Sequence, residues 1–169
     1  MLRNLSLTIP AAALIVLGGC ATTPPAPGPD LAAEEKSVRD AEAAWSQETA
    51  SNNFEKQVLH YTADAVLIAP GAPAMKGIDA IKAGMKEMMA DPNMHLEFVT
   101  EKVDVSKDAT MASTEGSYKM AMTDPKTKKV VHDVGSYATV YRKQDGKWLA
   151  VVDIASSSGT PAAPAPAKK

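Results

Sequence analysis

Asp153 stands in Val151-Val152-Asp153-Ile154, an apolar run where an ionised carboxylate is costly unless it finds a partner. Desolvation there would raise its pKa toward the value a general base needs near neutral pH. The competing reading is a structural Asp, bonded to a side chain of a neighbouring strand or to a helix end. Strict alternation places Asp153 on one face with Leu149 and Val151, opposite Trp148, Ala150, Val152 and Ile154. Tyr137 and Tyr118 lie on strand-like segments and are the candidate partners, since a phenol inside a cavity can donate to an oxyanion. Tyr137, Thr139 and Tyr141 share a face by alternation, and core packing with the hydroxyl at the rim is the alternative for such tyrosines. Trp45, Tyr61, Met85, Met89, Met120 and Tyr141 are the expected lining of a pocket for a small apolar ligand. A Met-rich core on a helix face is the plainer account of the same methionines.

Other chemistries lack their residues. His60, His95 and His132 are far apart, with no His-x-His or His-x-x-x-His pair, so no metal is expected. His132 and Asp133 point to opposite faces of a strand and cannot form an adjacent dyad. No Gly-rich phosphate loop, Gly-x-Ser-x-Gly elbow or Cys pair is present, and no cofactor is expected. The 169 residues carry 18 Lys+Arg against 20 Asp+Glu, a formal charge of −2. That balance argues against nucleic acid, which needs a basic face.

The single Cys takes its meaning from its position. An apolar stretch from Leu5 to Leu17 follows Arg3, and small residues come next: Leu17-Gly18-Gly19-Cys20. Residues 1–19 read as a signal peptide. The run into Cys20 resembles a bacterial lipobox, which implies acylation of Cys20 and a lipid anchor in a membrane. By the same analogy, Ala21 implies sorting to the outer membrane, with the domain on the periplasmic side. Residues 20–30 then form a Pro-rich spacer, and residues 156–169 a low-complexity tail expected to be disordered.

The elements that must position Asp153 and the tyrosines fall within residues 31–155. Leu31–Ser51 has helical spacing through Leu31, Val38, Ala41 and Trp45, with Glu42 among the surrounding charges and Asp30 as N-cap. Phe54–Tyr61 gives a second helix, Asp64–Ala69 a short strand, and Pro73–Lys76 its return. Ile78–Ala90 is an amphipathic helix with Ile78, Ile81, Met85, Met88 and Met89 on its apolar face. Four strands follow: Leu96–Ser106, Thr110–Met122, Val130–Lys143 and Lys147–Ala155, the last pair joined by an Asp145-Gly146 turn. Helices first and a meander afterwards predict an α+β fold.

Three segments carry a resemblance to a known family. They are Trp45 with Phe54–Gly77, then Gly135–Arg142, then Asp145-Gly146-Lys147-Trp148 running into Val152-Asp153-Ile154. The pattern resembles the SnoaL-like, nuclear-transport-factor-2-like superfamily that includes the ketosteroid isomerases. The resemblance implies a cone: a strongly curved, mostly antiparallel sheet wrapped around N-terminal helices, often dimerising through the sheet's outer face. It also implies an acidic base and Tyr or Asp oxyanion donors inside the cone in catalytic members, while other members only bind. Where the family's last strand often continues with Trp-Asn, this chain has Ala155 and Ser156.

Overall fold

The computed structural model describes residues 28–159. The expected signal peptide, Cys20 and most of the expected spacer lie outside the described residues, as does the chain beyond Gly159. Helix α1 spans Leu31–Ala50, and Asp30 caps it by accepting from the backbone N–H groups of Ala32 and Ala33 at 3.1 Å. A single turn, α2 (Phe54–Gln57), tightens into a 3-10 turn over Val58–His60. Strand β1 (Tyr61–Ile68) therefore begins three residues earlier than Asp64, the start that its Val/Leu/Ile content suggests. Strand β2 is Met75–Lys76 and helix α3 is Ile78–Met89. The long strands are β3 (His95–Val105), β4 (Met111–Thr123), β5 (Val130–Gln144) and β6 (Lys147–Gly159).

The fold is α+β. One open, curved sheet runs in the order β2-β1-β6-β5-β4-β3, antiparallel except where β1 meets β6. The core lies between α1, α3 and the inner face, around Val38, Trp45, Ile81, Met85, Tyr141 and Trp148. The expected disordered tail is corrected at its start: Ser156 pairs with Ser136 and Ser157 with Gly135, so residues 156–159 belong to β6. Backbone pairing with the long β5 overrides the low β-propensity of serine and glycine.

Curvature comes from irregular register. Thr100 pairs with Gly116 and Lys102 with Glu115, which leaves Glu101 as an extra residue on β3. Val140 pairs with Val152 and Tyr141 with Ala150, which leaves Val151 extra on β6. Each bulge bends its strand and shifts the in/out alternation by one residue. Two glycines assist. Gly116 lies opposite Tyr137 and Gly135 opposite Tyr118, and each ring covers its glycine so closely that a Cβ would sit 2.6 Å from a ring carbon. A Cβ would also stand 2.1 Å from a backbone oxygen, of Val99 at Gly116 and of Ser156 at Gly135.

Candidate functional site

The bulge at Val151 decides where Asp153 points. Trp148 and Ala150 face the core, and a regular strand would send Asp153 to the other side. With Val151 inserted, Asp153 and Ala155 instead join the inner face and line a cavity of about 150 Å³. The alternation expected from sequence alone is thus corrected.

The cavity has an apolar end and a polar end. Leu67, Met75, Met85, Met88, Leu96 and Met120 supply apolar surface. Trp45, Tyr61, Phe98 and Tyr137 supply rings, locked edge to face: Trp45–Tyr61 at 5.0 Å, Trp45–Phe98 at 5.9 Å and Phe98–Tyr137 at 5.4 Å between centroids. Behind Trp45, His60 stacks at 4.9 Å and holds Glu48 through Nε2 at 2.8 Å.

At the polar end Tyr61 donates to Oδ2 of Asp153 at 2.6 Å. Burial pushes the Asp153 carboxyl up to about 6, against the downward pull of the Tyr61 hydrogen bond. Negative charge on Glu42 adds to the rise, and the Thr139 hydroxyl opposes it. The Tyr61 hydroxyl, buried and beside this carboxylate, is raised well above its ordinary value.

Glu42 is the residue that sequence reasoning missed. The helical spacing sets it among the charges around the apolar residues of α1, yet it is 1% exposed. Its Oε1 accepts from Thr114 at 2.7 Å and from Tyr141; its Oε2 accepts from Tyr137 at 2.8 Å and Thr100 at 3.0 Å. Four hydroxyl donors from β3, β4 and β5 thus satisfy one carboxylate on a helix. A signal was present: Val38, Glu42, Trp45 and Thr49 follow one helical stripe, and all four are buried.

The cavity brings together Asp153, Tyr137, Tyr118, Trp45, Tyr61, Met85 and Met120. Two expected lining residues stand elsewhere. Tyr141 is buried beneath the cavity, bound to Glu42, and Met89 turns aside while Met85 and Met88 face inward. The two candidate oxyanion donors have committed protons: Tyr137 donates to Glu42, and Tyr118 donates to Asp133 at 2.7 Å. Burial and the adjoining carboxylate raise both phenols well above their ordinary range. Among the described residues no group of three or more His, Cys, Asp or Glu could hold a metal ion.

A family model described as SnoaL-like domain matches residues 41–151, ending two residues short of Asp153. A ketosteroid isomerase-like protein from Erwinia carotovora atroseptica shares the fold at 20% identity and TM-score 0.66, over 75% of this chain and 97% of that one. An NTF2-like protein with a cystatin-like fold from Novosphingobium aromaticivorans gives 16% and 0.57, over 76% and 84%. A conserved protein from Planctomyces limnophilus gives 17% and 0.62, over 75% and 98%. No curated protein matches the chain in sequence.

Proposed function

We propose that this chain, which belongs to the SnoaL-like domain family, binds a small, largely apolar molecule in its cavity and takes a hydrogen bond or a proton from it on Asp153. The observation that carries this reading is the Asp153 carboxyl on the wall of a largely apolar cavity, where burial pushes it up to about 6. Such a group is ionised at neutral pH yet close enough to it to hold a transferred proton. The second oxygen of the reaction centre would come from Tyr61, which already steadies the carboxylate. No donor on Tyr137 or Tyr118 is spare for an oxyanion, so the proposed chemistry is proton acceptance by Asp153.

Native mass spectrometry of the full-length protein tests this. A bound small molecule is expected in the wild type, and its loss is expected in Met85→Trp, which fills the cavity. A wild type that carries nothing, when purified from its own host, would contradict the reading.

One observation favours a second reading, a non-catalytic module that dimerises. Val99, Ser117, Ser136 and Ser156 pair in a row across β3, β4, β5 and β6, all exposed on the outer face, with Val99 65% exposed. A row of small side chains beside an exposed valine suits sheet-to-sheet contact. A dimer dissociated by Val99→Glu, with no ligand in any state, would favour this reading over the first.

The proposal for cellular place rests on Leu17-Gly18-Gly19-Cys20. Signal cleavage before Cys20 and acylation there would tether the domain to the periplasmic face of the outer membrane. Among the described residues no helix is long and apolar enough to cross a membrane. Wild-type protein is expected in the membrane fraction with acyl mass on an N-terminal Cys20, and Cys20→Ser in the soluble fraction. An unmodified Cys20 in an uncleaved chain would refute the anchor.

A further inference from the structure

The charges around the cavity are one-sided. Two carboxylates, Glu42 and Asp153, line it, and among the described residues no Lys, Arg or His does. The imidazole of His60, stacked behind Trp45, is held by a third acid, Glu48. The hydroxyls of the polar end have given their protons to carboxylates: Tyr61 to Asp153, and Tyr137, Tyr141, Thr100 and Thr114 to Glu42. What the charged groups of the lining offer a ligand is acceptor capacity. An anion placed here would meet two like charges in a poorly solvated space, with no cationic side chain among the described lining residues to offset them. A cation would meet the reverse.

The aromatic lining points the same way. Trp45, Tyr61, Phe98 and Tyr137 surround the polar end with interlocked rings, and ring faces attract ammonium groups. A cavity near 150 Å³ accommodates a body the size of a benzene ring. We infer that the cavity takes a small primary amine, bound as its ammonium. The N–H groups meet Asp153 and the rings, and the apolar body lies among Leu67, Met75, Met85 and Met88. This inference rests on the reading of the cavity as a ligand site and narrows that ligand to a charge class.

Isothermal titration of the full-length protein at about pH 7.5, where a carboxyl titrating near 6 is ionised, separates the possibilities. The probes are benzylamine, benzyl alcohol and benzoate, alike in size and different in charge. Benzylamine is expected to bind at least about tenfold more tightly than benzyl alcohol, with benzoate weakest. Asp153→Asn should remove that preference while leaving benzyl alcohol within about threefold. Benzyl alcohol or benzoate binding as tightly as benzylamine, with all three abolished by Met85→Trp, would overturn the amine and leave the cavity as a ligand site. No binding by any of the three would overturn both. Should Asp153→Asn fail to give a cooperative melt, the order of the three probes on the wild type alone decides.

Discussion

Glu42 and Asp153 show how differently two buried acids can be used. Glu42 has its oxygens filled by Thr100, Thr114, Tyr137 and Tyr141, so it ties α1 to three strands. Glu42→Ala would strand those four hydroxyls and is expected to cost about 3 kcal/mol or more in urea unfolding. Glu42→Gln should cost less, because one oxygen acceptor survives. Asp153 has a different role in stability. Its folded value of about 6 lies above its ordinary 3.8, so the folded protein holds this proton more firmly than the unfolded chain does. That contribution is fully present below about pH 4 and is lost as pH rises through 6, a change of roughly 3 kcal/mol at most. Asp153→Asn is therefore expected to flatten the stability profile between about pH 4 and 6 in chemical denaturation. An unchanged slope would mean that Asp153 titrates normally. Asp153 was legible in sequence because an acid in an apolar strand is conspicuous. Glu42 was not, because an acid in a helix full of acids looks solvated until its stripe is traced.

The elements themselves were well marked: Asp30 caps α1, Asp145-Gly146 turns β5 into β6, and the α3 stripe faces the core. What the residue pattern hid was register. Nothing in Val151 or Glu101 announces an inserted residue, since a bulge is fixed by pairing with distant strands. Yet the bulge at Val151 is what turns Asp153 from the outer face to the cavity. The same distance effect extends β6 through Ser156–Gly159, where composition alone suggests a loose tail. The glycines opposite Tyr137 and Tyr118 are a second hidden device. Gly116→Ala is expected to lose about 2 kcal/mol of stability, because its Cβ would collide with the Val99 carbonyl and the Tyr137 ring. It should also displace Tyr137 from Glu42, visible as a changed tyrosine absorbance on alkaline titration. A melting temperature equal to wild type would mean that the sheet tolerates the methyl group.

On the scale of the whole molecule, the sheet serves two faces. Its concave side, closed by α1 and α3, makes the cavity; its convex side carries the exposed row around Val99. Fold-level resemblance was readable from chain order and a few motifs, because helices, hairpins and turns are local. The site was readable only in part, because its polar end is assembled from α1, β1, β3, β4, β5 and β6. Those contacts set the charge and shape of the cavity, and through them the class of ligand proposed. A carbon-detected NMR titration of the Asp153 side-chain carboxyl, with and without benzylamine, tests the role of Asp153 most directly. A midpoint near pH 6 is expected in the free protein, falling when the ammonium occupies the cavity. A midpoint near 4 in both samples would place Asp153 in solvent and contradict it.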